Sequence, residues 1–405
     1  MTLRRWLACL AALGFASGAA CADARAELPT VVLGEPSAFA PRERLDALRQ
    51  GRTRVALPTS PSLRWQLELH ANLEHPPLVD GTGALVALLA NGDLVRVALD
   101  GNVVWRRRLP CAVSNVPPAL LAEDVALVVC GDGTLLRVDR DGRRLDSTSL
   151  DGSAVRANAA PLVREDATVV VALDDQLVHV SSEGIVLARA RLGLTEVFVG
   201  GLMPFDGGVL AVDARGDVWF WRAPAVPRKL GSFGGSPPAG AVVLGTRALA
   251  AVVSQESRVV VLDPVTQRTS VLALGDAALG LRFDGPPSLA PNGELLLTTS
   301  LGEVLALTSS GEVTRRIAFD VPEKLADSRF RTATTVERRA PLVVDARGNA
   351  VTFTRSGQLV ILTAEGPLHT LKGRACARPL AVLPAGERRV ITACADGNVA
   401  SWSQP

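Results

Sequence analysis

"LLANGDLVRVALDGNVVW", Leu88 to Trp105, holds two tight-turn signals, Asn91-Gly92 and Asp100-Gly101, each flanked by short runs in which apolar and polar residues alternate. Asn-Gly and Asp-Gly supply the positive φ that two-residue hairpin loops demand, so the stretch predicts three antiparallel strands joined by two turns. The pattern returns as "VVCGDGTLLRVDRDGRRL" (Val128 to Leu145), "VALDDQLVHVSSEGIVL" (Val171 to Leu187) and "AVDARGDVWFWRAPAV" (Ala211 to Val226). It continues through "VVSQESRVVVLDPVTQRT" (Val252 to Thr269), "TTSLGEVLALTSSGEVT" (Thr298 to Thr314), "FTRSGQLVILTAEGPL" (Phe353 to Leu368) and "ACADGNVASW" (Ala393 to Trp402). The leading turn positions, Gly92, Gly133, Asp175, Gly216, Ser257, Gly302, Gly357 and Gly397, lie 40 to 45 residues apart, with one step of 55.

A period near 41 residues without helical periodicity is the mark of a four-stranded sheet per repeat, the blade of a β-propeller. Each unit opens on a Pro-led strand, as in "PPLV", "PPALL", "APLV", "PPSLA", "APLVV" and "RPLAV", where the missing proline N–H need not join the ladder. An apolar second strand, the Gly-bearing turn, a third strand, a second turn and a fourth strand follow. The eighth unit has only three strands. The missing one is expected far upstream: "SLRWQLEL" (Ser62 to Leu69) precedes the first unit, and its Trp65 takes the place that Trp105 takes in "GNVVWRRRL". The fold expected is therefore all-β, an eight-bladed propeller over residues 61–405 whose last blade is closed by an N-terminal strand, which leaves no open sheet edge at the seam.

The unit D/N-G-x-L-x-x-V-D-x-x-G-x-x-x-W resembles the repeats of the quinoprotein-type, or PQQ-like, β-propellers across residues 61–405. In layout the chain is similar to the propeller lipoproteins of outer-membrane β-barrel assembly complexes. Only Trp65 and Trp105 keep the fourth-strand tryptophan of that pattern, with Leu145, Leu187 and Thr314 at or near its place elsewhere. The enzymes of the family hold their quinone against adjacent cysteines, over a tryptophan floor, beside calcium held by carboxylates and Asn; no Cys-Cys dipeptide and no matching cluster stand in this chain. The resemblance thus implies a non-catalytic member with no cofactor and no metal, acting as an exported scaffold for envelope proteins. A degenerate quinoprotein oxidoreductase and a propeller that takes a carbohydrate or other ligand in its central channel are the competing readings.

The residues themselves give no catalytic constellation. Four histidines, His70, His75, His179 and His369, fall in different units, no G-x-S-x-G elbow occurs and no His pair has metal spacing. His179 reads as a hydrogen-bonded structural side chain. "DRDG" (Asp139 to Gly142) and the pair Asp174-Asp175 read as turn chemistry and not as calcium or acid-base sites. With 43 basic against 41 acidic residues, aromatics at 4% and no Tyr, neither the basic footprint nor the stacking surface of a nucleic-acid binder is present.

The N-terminus reads as a targeting segment over residues 1–22: a basic start "MTLRR", an apolar run "WLACLAALGFA" too short to span a bilayer, and small residues "SGAACADA". Cleavage after Ala22 or Ala24 releases a soluble product, whereas cleavage before Cys21 offers its thiol for a lipid anchor. Either way the mature chain is expected outside the cytoplasm, in the periplasm or at the outer membrane, with no transmembrane helix. Residues 23–60 are charged and Pro-rich and are expected to form a leader or tether, with a short helix around Glu43 to Arg49. In an oxidising compartment the remaining cysteines fall into local pairs, Cys111 with Cys130 and Cys376 with Cys394; four thiolates on zinc would normally show close C-x-x-C spacing.

The long connections Leu274 to Gly285 and Phe319 to Arg339 carry Arg282, Phe283, Arg329, Phe330 and Arg331, residue types that anchor interfaces. They are expected to present one face of the disc to a protein partner.

Overall fold

The computed structural model describes residues 51–111, 114–150, 157, 159–192, 198–234, 240–244, 248–253, 258–272, 283, 285–299, 301–319, 341–354, 357–363, 366–371, 376 and 378–405. They form eight antiparallel four-stranded sheets, each ordered from its first strand at the axis to its last at the rim. Blade 1 is Leu78–Val79, Leu85–Leu88, Asp93–Val97 and Val103–Arg108; blades 2 to 7 repeat it over 119–149, 162–191, 198–232, 240–271, 288–318 and 343–371. Blade 8 takes Pro379–Pro384, Arg389–Cys394 and Asn398–Ser403 from the C-terminal end of the chain and Ser62–Glu68 from upstream of blade 1. That last pairing runs antiparallel from Ser62 opposite Ser403 to Glu68 opposite Asn398, with an irregularity between Leu63 and Trp65. The ring is closed by chain ends more than 300 residues apart in sequence, as the repeat count required.

Burial explains the composition of each strand. Second strands such as Leu85–Leu88, Ala126–Val129 and Val169–Leu173 are buried throughout, because both of their faces pack on neighbouring blades, so they read as continuous Val, Leu and Ala runs. Outer strands such as Val313–Ala318 alternate between half-buried and exposed residues and carry arginines, which blunt an edge that would otherwise recruit another strand. The core is accordingly a ring of clusters between blades: Trp105 and Leu88 of blade 1 meet Leu120 and Val128 of blade 2, and Leu127 and Leu135 of blade 2 meet Val171 and Val178 of blade 3.

Two seams are fastened by tryptophans. Trp65 donates from Nε1 to the Leu99 carbonyl at 2.8 Å, and Trp105 does the same to Arg140 at 2.8 Å, each reaching the outer turn of the following blade. The glycines under the rings, Gly101 and Gly142, have φ of +93° and +79°, and a Cβ on either would lie 2.8 Å from an indole carbon. At the next seam the tryptophan is gone. Strand register places Asp146, not Leu145, at the position of Trp105, and likewise Ala188 and Arg315 in place of the Leu187 and Thr314 expected from sequence. Asp146 accepts from Arg137 Nε at 2.9 Å, and the same guanidinium donates to the Ser182 carbonyl, two residues before Gly184, just as Leu99 and Arg140 stand two before their glycines. An ion pair thus reaches the carbonyl that an indole reaches elsewhere.

The expected boundary at residue 60 needs correction. Residues 51–60 are part of the propeller: Thr53 donates to the Val344 carbonyl at 2.8 Å, and Val344 donates to Gly51 at 2.9 Å, in a parallel bridge between Arg52 and Val344. Residues 1–50, with the expected export segment, Cys21 and the short helix, lie outside the described residues.

Candidate functional site

A propeller offers its axial channel, its two faces and its rim, and function belongs to what the loops and edges place there. The innermost strands of neighbouring blades touch from blade 2 round to blade 7, and again from blade 8 to blade 1. Against them, on the channel side of blades 6 and 7, runs the segment 51–57. A Cβ on Gly51, whose φ is +66°, would lie 2.8 Å from the Leu342 carbonyl and 2.8 Å from Ser288 Oγ, so no larger residue fits there unstrained. The segment leaves beside the turns that follow the innermost strands of blades 7 and 8: Leu57 donates to Asp345 Oδ2 at 3.0 Å, Ala56 to Glu387 Oε2 at 3.2 Å, and Arg388 donates to the Ala56 carbonyl at 2.8 Å. Thr59 then donates to Gln404 Oε1 at 2.9 Å before the chain enters the closing strand.

The opposite face of the disc carries the turns between second and third strands together with the connections between blades. In blades 1, 2 and 6 the residue that leaves the outer strand is held there by the turn of its own blade, Leu109 to the Gly92 carbonyl at 3.1 Å, Leu150 to Gly133 at 3.0 Å and Phe319 to Gly302 at 3.0 Å. Both disulfides lie on this face. Cys111–Cys130 ties the connection entering blade 2 to the end of that blade's second strand, and Cys376–Cys394 does the same for blade 8, with Cα separations of 5.9 and 5.6 Å.

Of the five residues expected to anchor a partner, Arg282, Arg329, Phe330 and Arg331 lie outside the described residues. Phe283 does not belong with them. It is 2% exposed, bridges to Thr299 and packs with Leu289, Leu297 and Leu305 in the cluster between blades 5 and 6. A long connection raised its apparent exposure in the sequence, but the aromatic ring is the apolar end of that connection turned into the seam. Phe283→Ala is expected to cost roughly 3–5 kcal/mol of stability, as other buried Phe truncations do, so thermal melting should report it while any partner loss would be secondary; an unchanged melting temperature would put the ring outside the core.

Among the described residues, several titratable groups are engaged in structure. Asp80, fully buried, accepts from Arg96 Nη2 at 2.6 Å and from the amides of Thr82 and Ala84 at 2.8 and 3.0 Å, locking a turn. Asp139 accepts from the amides of Asp141 and Arg143 at 2.9 and 2.8 Å, and Asp174 takes φ +40° in the two-residue turn before Gln176. His179 places Nε2 2.8 Å from Thr168 Oγ1, which donates to Asp166 at 2.6 Å, and sets its ring edge-on to Trp221. Burial first, and the Arg164 charge second, hold the imidazole below its usual range, with Asp166 acting against them.

A base whose folded pKa is depressed leaves the folded state with fewer bound protons, so stability should fall as pH drops from the unfolded value near 6.5 toward the folded one. His179→Gln is expected to flatten that slope in melting curves between pH 7.5 and 5; an unaltered slope would place the titration elsewhere.

A cavity of about 30 Å³ lies between blades 7 and 8, lined by Phe353, Leu371, Thr392 and Trp402 beside the Cys376–Cys394 bridge, room for about one water. Among the described residues no three His, Cys, Asp or Glu side chains are grouped to hold a metal ion. No helix among them is long and apolar enough to cross a membrane.

Residues 11–203, just under half of the chain, match the family model of outer membrane protein assembly factor BamB. No curated protein matches by sequence. Among solved structures, BamB from Moraxella catarrhalis is similar at a TM-score of 0.58 and 17% identity, covering 85% of this chain and all of its own, 100%. The computationally designed Ika8 protein is similar at 0.60 and 15% identity, covering 84% of this chain and 100% of its own. A catalytically inactive virginiamycin B lyase from Staphylococcus aureus, solved with quinupristin, is similar at 0.51 and 12% identity over 71% of this chain and 94% of its own. At such identities the structural likenesses establish the fold alone. In its eight four-stranded blades and its closing strand the chain is an eight-bladed β-propeller, similar over residues 11–203 to the PQQ-like repeats of the BamB assembly factors.

Proposed function

We propose that the protein is an exported, non-catalytic scaffold that binds other envelope proteins in the periplasm or at the outer membrane and serves the assembly of outer-membrane proteins. The match of residues 11–203 to the assembly-factor family carries this reading. The geometry supports it in two ways: the channel, where a propeller would most readily take a small ligand, is lined on blades 6 and 7 by the chain's own backbone, and the buried carboxylates described above serve turns. Partner binding then falls to the face that carries the connections between blades, including the long one over 320–340 with Arg329, Phe330 and Arg331.

The test is expression of the full chain with a C-terminal tag in a Gram-negative envelope, followed by cross-linking, co-purification and intact mass of the mature protein. Recovery with outer-membrane assembly proteins is expected, and loss of that recovery in Phe330→Ala with melting unchanged would assign the face. A mass increment of acyl chains on a product beginning at Cys21 would establish the anchor, while a mass beginning at Asp23 or at Arg25 would make the protein soluble. A chain that stays in the cytoplasm, or that reaches the envelope and cross-links to no protein there, would overturn the proposal. Reconstitution with pyrroloquinoline quinone and calcium is expected to give no cofactor absorbance.

A further inference from the structure

The innermost strand of a propeller blade has a partner on one side only, and its other edge presents free N–H and C=O groups to the channel. In blade 7 that edge is taken. The segment 51–53 runs parallel to Val343–Val344, exchanges two backbone hydrogen bonds of 2.8 and 2.9 Å with Val344, and continues to Leu57, whose amide reaches the buried carboxylate of Asp345. Leu57 is 2% exposed and joins the cluster that spans blades 7, 8 and 1. Beside it, Ala56 is bound on both its N–H and C=O by blade 8, and Thr59 is bound by Gln404 at the end of the chain. One short segment therefore touches blade 6 through Ser288, pairs with blade 7 and is clasped by blade 8, with a glycine where the backbone passes closest.

We propose that residues 51–57 are a cis-acting strap, a fifth strand supplied by the chain to its own blade 7, which keeps that strand-accepting edge in the channel closed and latches the ring at the seam where its two ends meet. The site beneath the strap is a receptor for extended backbone: the Val344 N–H and C=O set a parallel register, Asp345 accepts a further amide, and the wall formed by Leu342 and Ser288 admits only glycine opposite it. The strap is autoinhibitory in that sense, since an extended peptide can bind there only when the strap has left. This inference concerns the channel and stands or falls independently of the scaffold reading, whose test is a partner on the outer face.

Two substitutions in the full-length chain release the strap without replacing a blade residue. Gly51→Val sets a β-branched residue at φ +66° with its Cβ against Leu342 and Ser288, and Thr53→Pro removes the N–H that reaches the Val344 carbonyl. The probe is a fluorescent peptide of residues 51–60, read by anisotropy, together with hydrogen exchange at the Val344 amide. In the wild-type chain Val344 should exchange slowly and the peptide should not bind. In either variant, with a cooperative melt retained, Val344 should exchange at least tenfold faster, and the peptide should bind at least tenfold more tightly than to wild type and restore protection. Unchanged Val344 exchange in both folded variants would overturn the strap. Equal peptide binding to wild type and variants would reduce the interaction to non-specific attraction of a basic peptide, and would overturn the receptor. If Gly51→Val fails to fold, Thr53→Pro alone decides, since it removes only two hydrogen bonds at the half-exposed part of the strap, Thr53 N–H to the Val344 carbonyl and Val55 N–H to Thr53 Oγ1.

Discussion

Deleting Ser62–Leu69 is expected to abolish the single cooperative unfolding transition and drive the protein to aggregate, although the deleted residues precede blade 1 and the damage falls on blade 8. Asn398–Ser403 would lose its outer partner along the whole register from Ser62 to Glu68 and stand as an exposed edge, the arrangement that recruits foreign strands. Trp65 would go with it, and with Trp65 the hydrogen bond to Leu99 and the cover over Gly101 that fasten blade 8 to blade 1. Trp65 is half-buried, so loss of the indole alone should cost less than the roughly 3–5 kcal/mol of a fully buried aromatic, and the unpaired strand edge is the larger part of the damage. Calorimetry and size-exclusion chromatography check the outcome, and an unchanged melt would remove the shared blade from the account. A circular permutant that carries 62–69 after Pro405 should fold again, because Ser62 stands directly opposite Ser403 and a short turn can join them.

Reduction of both disulfides should bring the next largest loss. The bridges close loops of 19 and 18 residues, for which chain-entropy arguments give roughly 3 kcal/mol each. They act at different places in the ring. Cys111–Cys130 braces a blade built from contiguous chain, so Cys111→Ser with Cys130→Ser should lower the melting temperature and leave one transition. Cys376–Cys394 braces the blade that depends on a non-covalent strand from the other end of the molecule, so Cys376→Ser with Cys394→Ser should also broaden the transition. Melting with and without reductant, and peptide mapping without reduction, read both effects; identical melts, or free thiols in the oxidised protein, would count against them.

Much of this was legible from residues because it is local. A two-residue hairpin is specified by its own Gly and Asx, so the turns at Gly92, Gly133 and Gly397, the four-strand unit and the count of units follow from spacing, and the strand missing from the eighth unit follows from the count. The cysteine pairs were legible for the same reason, since each spans one hairpin and its entrance. What the sequence could not show depends on which distant surfaces meet. Nothing in "GRTRVAL" says that it will lie in the channel against Val344, nearly three hundred residues away, because a strand edge selects a partner through backbone groups that every residue carries. Phe283 reads like a surface anchor until the seam between blades 5 and 6 is built around it. Leu145 reads like the stand-in for a lost tryptophan until strand register sets Asp146 there, opposite Arg137, and the guanidinium reaches the Ser182 carbonyl. Local turn chemistry fixes the repeat, while packing between blades decides what each diverged position does, because burial and register exist only once the ring has closed.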